Sequence, residues 1–167
     1  MKDMIPPCHI RIDKEGNWYY KGAQIIRRDI YLYFNKHLVK EFDGRYLLHI
    51  NNEKCYLDVE DTPFVVKKVD FQDVFKIVLN DESEETLRLD TLWIGRDNVL
   101  YCKVKNKRFD ARFNRPSYYE LTKYVAHDEA RGKYFIPVDG IRYYLEQRDD
   151  NLVKSQNSFS LDGRGRG

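Results

Sequence analysis

Gly44-Arg-Tyr-Leu-Leu-His-Ile-Asn-Asn-Glu-Lys-Cys-Tyr-Leu-Asp58 recurs 88 residues later, without a gap, as Gly132-Lys-Tyr-Phe-Ile-Pro-Val-Asp-Gly-Ile-Arg-Tyr-Tyr-Leu-Glu146. Gly, both Tyr and Leu are identical, and basic, apolar and acidic positions match in kind. Each copy alternates apolar and polar residues on both sides of a turn, Asn51-Asn52 in one and Asp139-Gly140 in the other. Asp-Gly between alternating runs is a strong hairpin signal. Internal similarity at a fixed offset predicts duplicated architecture. It predicts no reaction.

Working outward, the first copy is preceded by a helical stripe, Ile30, Tyr33, Phe34, His37 and Leu38, with Asp29 placed to cap it and Gly44 to end it. The second is preceded by Tyr118, Leu121, Thr122 and Val125, with Asn114 as cap and Pro116 in the first turn. At an offset of 87, Tyr31 falls on Tyr118 and Phe34 on Leu121. Before each helix lies a further hairpin. His9 to Asp13 turns through Lys14-Glu-Gly-Asn17 into Trp18 to Lys21, and Leu92 to Ile94 turns through Gly95 to Asn98 into Val99 to Val104. At an offset of 82, Gly16 falls on Asn98 and Trp18 on Leu100; Asn follows Gly in tolerance of positive φ. Three more strands are expected between the units, within Phe64–Asp70, Val74–Leu79 and Glu85–Asp90.

The expected fold class is α+β: two repeated hairpin–helix–hairpin units with antiparallel sheets and two main helices, joined by additional strands. The expected organisation is an N-terminal unit over 8–70, a C-terminal β-rich unit with its helix over 71–150, and a disordered tail over 151–167, where the chain ends Asp-Gly-Arg-Gly-Arg-Gly.

Composition narrows the function classes. The chain has 167 residues, 42% of them hydrophobic, with 13 Tyr and 9 Phe, so half-buried aromatic positions should be common. Twenty-nine basic residues against 27 acidic ones leave a net charge of +2, which argues against a nucleic-acid surface. The three cysteines, Cys8, Cys55 and Cys102, are odd in number and far apart. They read as neither a disulfide framework nor a zinc site, and point to a reducing, cytoplasmic setting. No secretory h-region or run of about 18 apolar residues occurs.

Ile12-Asp-Lys-Glu-Gly-Asn-Trp18, Lys21-Gly22, Ile26-Arg27, Asp29 to Phe34, Asp43-Gly-Arg-Tyr-Leu-Leu48 and Val59-Glu-Asp-Thr-Pro-Phe-Val-Val66 together resemble an uncharacterised bacterial family, domain of unknown function 1285. Family members usually carry a His two residues after the Trp, where this chain has Tyr20. The resemblance implies an α+β fold of repeated motifs, no established activity, and a regulatory or signalling role.

The candidate ligand-binding residues are Arg27, Asp58, Glu60 and Asp61. Asp58 and Glu60 share one strand face. Paired carboxylates can work as acid and base if their environments differ, or hold a divalent cation. The competing reading is structural: Asp61-Thr-Pro63 as a fixed turn and Arg27 ion-paired to Glu60 or Asp61. His49 and Cys55 can face each other across the Asn51–Glu53 turn, although a strand cysteine is more often a small buried hydrophobe. Lys103 to Arg115 interleaves basic residues with Phe109 and Phe113, as a single-strand nucleic-acid surface would. Its alternation equally fits a core strand with a solvated outer face.

No cofactor or metal is expected. The leading expectation is a non-enzymatic binding or regulatory module with a groove between two units, its partner an unknown protein or small molecule. The alternatives are a small hydrolase using the carboxylates and Arg27, or a single-stranded nucleic-acid binder. A homodimer is compatible with exposed strand edges, and no membrane association is expected.

Overall fold

A computed structural model describes residues 4–148. The expected tail at 151–167 lies outside the described residues. The chain begins with β1 (Pro7–Ile12), β2 (Trp18–Tyr20), β3 (Ala23–Gln24), α1 (Arg28–Lys36), β4 (Leu38–Lys40), β5 (Tyr46–Ile50) and β6 (Glu53–Val59). These strands make one six-stranded sheet in the order β3-β2-β1-β6-β5-β4. Then come β7 (Phe64–Phe71), β8 (Phe75–Leu79), β9 (Glu84–Thr86), β10 (Trp93–Ile94), β11 (Leu100–Val104), β12 (Phe109–Phe113) and α2 (Arg115–Thr122). The chain closes with β13 (Ala126–Asp128), β14 (Lys133–Val138), β15 (Ile141–Tyr144) and β16 (Glu146–Gln147). The second sheet runs β16-β10-β11-β12-β7-β8-β9, and β13-β14-β15 form a third. The fold is therefore α+β and mostly sheet.

Local signals place most of these elements. Ile12 lies opposite Trp18, with Gly16 in the intervening turn at φ +86°. Ile94 lies opposite Leu100, with Asp97 and Asn98 both at positive φ between them. Asn51 and Asn52 turn β5 into β6, and Asp139 and Gly140 turn β14 into β15, all four at positive φ as the twist of tight hairpins demands. Asn114 accepts a hydrogen bond from the Ser117 amide at 2.9 Å and caps α2, with Pro116 beside it. On β12, Phe109, Ala111 and Phe113 are buried and alternate with half-buried Asp110 and Arg112. One hydrophobic cluster joins the sheets, drawing Ile12, Trp18 and Leu48 from the first, Phe64, Ile77 and Cys102 from the second, and Leu121 from α2.

Several expectations are corrected. The sheets are not purely antiparallel: β1 pairs with β6, β10 with β16 and β12 with β7 in parallel. In register, Ile12 lies beside Val59 and Ile94 beside Gln147. Asp29 does not cap α1. Arg27 holds the N-cap position without a side-chain cap bond, and its guanidinium occupies the Asp29 carboxylate. Helix α1 stops at Lys36 and Leu38 already belongs to β4, so Gly44 (φ +94°) serves the β4–β5 turn instead. Part of the expected strand at Glu85–Asp90 is a short 3-10 turn, Leu89–Thr91. The Lys103–Arg115 stretch is not one strand: it folds back at Lys105 to Lys107, all at positive φ.

The largest correction concerns cysteine. Cys8 and Cys55 form a disulfide with their Cα atoms 5.0 Å apart, although 47 residues separate them. The parallel pairing of β1 with β6 brings them together, with Pro7 beside Tyr56. Cys55 is neither free nor opposite His49, which lies across from Lys54, so the His49–Cys55 pair does not form. The cysteine argument for a reducing compartment goes with it. Cys102 is a free, buried thiol, and burial raises its pKa far above the ordinary value, which makes it unreactive. Among the described residues no helix is long and apolar enough to cross a membrane.

A cross-link spanning that separation stabilises by about 3–4 kcal/mol, mainly by restricting the unfolded chain. Reduction, or the pair Cys8→Ser with Cys55→Ser, should lower the urea midpoint accordingly. A midpoint indifferent to reductant would contradict the disulfide.

Candidate functional site

The Val59–Phe64 string carries the chain from the first sheet to the second, and its side chains tie the two together. Glu60 accepts a hydrogen bond from Arg11 Nη2 at 3.1 Å and another from the Lys14 amide at 3.1 Å. Asp61 Oδ2 accepts from Arg112 Nη1 and from the Tyr101 hydroxyl, each at 2.8 Å. The Thr62 hydroxyl donates to the Phe64 carbonyl at 2.8 Å, with Thr62 and Phe64 both buried. Asn80 completes the junction. Its Oδ1 accepts from the Val65 amide at 2.9 Å, and its Nδ2 donates to the carbonyls of Gly16 at 3.2 Å and Pro63 at 3.4 Å. A Cβ on Gly16 would sit 2.7 Å from Asn80 Nδ2, so glycine is required there for space as well as for positive φ.

Arg27, Asp58, Glu60 and Asp61 do not share one hydrogen-bonded constellation. Arg27 pairs with Asp29 at 2.8 Å on the exposed start of α1, not with Glu60 or Asp61. Asp58 lies beside Arg11 in strand register and lines a shallow cleft with His9, Tyr19 and Lys21. Glu60 takes the Arg11 guanidinium, while Asp61 turns to the other sheet. The expected turn is present, but Asp61 bonds to distant side chains rather than to nearby amides. Among the described residues no group of three or more His, Cys, Asp or Glu side chains is gathered as metal ligands would be.

The basic stretch is largely engaged. Lys103 pairs with Asp110 at 2.7 Å, Lys105 with Asp81 at 2.8 Å and Arg112 with Asp61. Cations already neutralised at this range offer little to a phosphate backbone.

A cleft of about 600 Å³ opens where the β1–β2 turn meets the β10–β11 turn and the start of α2. Lys14 and Glu15 come from the first turn, Asp97 and Asn98 from the second, and Arg112, Arg115 and Tyr119 from β12 and α2. The side chains of Lys14, Glu15, Asp97 and Arg115 carry no hydrogen bond or ion pair among the described residues. In the sequence Lys14, Glu15 and Asp97 read as turn residues and Arg115 as the end of the basic stretch. Their approach depends on pairings between strands far apart in the chain, for which no local signal exists.

Residues 3–62 match the family model described as the N-terminal domain of domain of unknown function 1285 (DUF1285). The resemblance to the DUF1285 family holds. Two solved structures are similar in fold. One is a DUF1285 family protein from Silicibacter pomeroyi DSS-3, at 20% identity over 84% of this chain and 80% of that one, TM-score 0.70. The other is a DUF1285 family protein from Shewanella baltica OS155, at 19% identity over 70% of this chain and 91% of that one, TM-score 0.60. Among curated proteins no match is found. At these identities the two DUF1285 structures speak to the fold, and the site must be argued from this chain's own residues.

Two carboxylates beside the junction make its stability depend on acid. Burial opposes ionisation of Asp13, but hydrogen bonds from the Asn17 amide, the Tyr19 hydroxyl and the Glu15 amide outweigh it and lower its pKa. Burial likewise opposes ionisation of Asp81, and bonds from Lys105 and Ser83 outweigh it. A lowered folded-state pKa gives stability that is present above the ordinary value of 3.8 and lost as pH falls below it. Asp13→Asn and Asp81→Asn should each lower the melting temperature at pH 7 and flatten its fall between neutral and strongly acidic pH. Melting curves parallel to the parent's over that range would contradict this assignment.

Proposed function

We propose that the protein is a non-enzymatic binding module of two related halves, and that it engages a ligand or partner in the cleft between them. Two registers and one burial pattern support relatedness. Ile12 opposite Trp18 and beside Val59 matches Ile94 opposite Leu100 and beside Gln147, at the sequence offsets of 82 and 88. Leu48 and Leu57 are buried, as are Ile136 and Leu145 at the offset of 88. The hairpin–helix–hairpin unit is the simplest account of these pairs.

The observation that carries the binding reading is the set of unpaired charges on the cleft wall. Asp61, Glu60 and Asp81 are engaged in ion pairs of the junction. Lys14, Glu15, Asp97 and Arg115 converge on one concave space, with no side-chain partner among the described residues. Both signs are present, which suits a ligand carrying both better than a polyanion. Of the four residues singled out from the sequence none is among the described residues lining this cleft; Asp61 bears on it by holding Arg112, which lines it. The regulatory part of the reading comes from the family resemblance, and a reducing cytoplasmic setting is not part of it.

The test is a ligand-observed NMR screen of amino acids and dipeptides, each bearing both charges, on the full chain. Binding should weaken at least tenfold in a Lys14→Ala, Arg115→Ala variant whose melting temperature is unchanged. Hits indifferent to both substitutions, or none, would overturn the cleft as the binding place. Turnover of any hit would overturn the non-enzymatic part.

A further inference from the structure

The pairing of β10 with β11 places Leu100 opposite Ile94, where the pairing of β1 with β2 places Trp18 opposite Ile12. These two positions are filled very differently. The Trp18 indole is 2% exposed and packs against Phe34 of α1 with ring centroids 5.8 Å apart. Its ring nitrogen makes no hydrogen bond among the described residues, so the space it fills is apolar. In the second half both rings are replaced by smaller side chains: Leu100 stands for Trp18, and Leu121 stands for Phe34 at the offset of 87. Beside Leu100 there is a cavity of about 490 Å³.

Its wall combines Ile94, Leu100, Tyr118, Val125 and Leu145 with the polar groups of Asn98, Thr122, His127 and Gln147. Among the described residues, no Asp, Glu, Lys or Arg lines it. At its exposed mouth, His127 and Tyr134 hold their rings 4.7 Å apart. An apolar pocket of this size with a few polar groups at the rim is the usual form of a small-molecule site. With no counter-charge among the described lining residues, the wall favours a neutral occupant over a charged one.

We propose that this cavity binds a small neutral aromatic molecule, whose ring takes the place that the Trp18 side chain takes in the first half. A hydrogen-bonding group on the ring meets Asn98, Thr122 or Gln147. The aromatic pair at the mouth can stack on an entering ring. The first half is thus a filled version of the same framework, and the second an open one. This site is separate in chemistry from the charged cleft, although Asn98, Leu100 and Tyr118 border both.

Indole is the direct probe. Full-length protein should bind it saturably, with a dissociation constant on the order of a millimolar or tighter for so small a ligand. In methyl NMR spectra, Ile94, Leu100, Val125 and Leu145 should shift, while Ile12, Leu38 and Leu57 stay. Leu100→Trp should fill the cavity, keep the fold and weaken indole binding at least tenfold. Absence of saturable binding to the parent chain, shifts confined to other residues, or undiminished binding by a folded Leu100→Trp variant would each overturn the proposal. Should that variant not fold, the methyl map of the parent chain decides alone.

Discussion

Asn80 is the residue on which the arrangement of the two sheets depends. Its side chain is the common partner of the Gly16 carbonyl in the first hairpin, the Pro63 carbonyl in the crossing segment and the Val65 amide at the start of β7. Its own amide donates to the Val65 carbonyl at 2.9 Å. Val65 is fully buried, so its amide has no water to fall back on; an unmade bond there costs about 1–3 kcal/mol. Gly16 approaches closely because it has no Cβ, and Asp13 can then gather the amides of Glu15 and Asn17. One side chain thereby fixes the first turn, the crossing and the central strand relative to one another.

The cleft follows from that constraint. Lys14 and Glu15 ride on the turn that Asn80 holds, and Arg112 is oriented by Asp61 on the crossing. The carboxylates that look chemically promising in the sequence are mostly engaged in this joinery. Glu60 is committed to Arg11 and to the Lys14 amide, and Asp61 to Arg112 and Tyr101. The cleft charges without a side-chain partner among the described residues lie on turns and on the start of α2, the positions a scaffold can vary without disturbing its core.

The parts of the fold legible in the sequence are those set by neighbours in the chain. The Asn51-Asn52 and Asp139-Gly140 hairpins, the Asn114 cap and the alternation of Phe109, Ala111 and Phe113 all depend on a few consecutive residues. The parts that were illegible depend on distant pairing. Nothing near Cys8 or Cys55 announces that β1 runs parallel to β6, so counting cysteines leads to the wrong compartment argument. The end of α1 is hidden in the sequence because Leu38 continues the helical stripe while pairing with Leu48 in the sheet. Asp29 fits a cap by type, yet the adjacent Arg27 captures it. Asp61 and Arg112 are 51 residues apart, and Asn80 opens the acidic stretch Asn80-Asp-Glu-Ser-Glu84, which carries no local sign of a tie to Gly16 or Val65. Residue type marks Asp61 as notable; its partners, Arg112 and Tyr101, show it as a tie between the sheets.

Hydrogen exchange on an Asn80→Ala variant tests the central role of that residue most directly. If Asn80 holds the turn, the crossing and the central strand together, exchange should quicken at the Val65 amide and, with it, at the amides of Gly16 and Asn17, which lie far away in sequence. Quickening confined to Val65, with the first turn as protected as in the parent chain, would contradict the account.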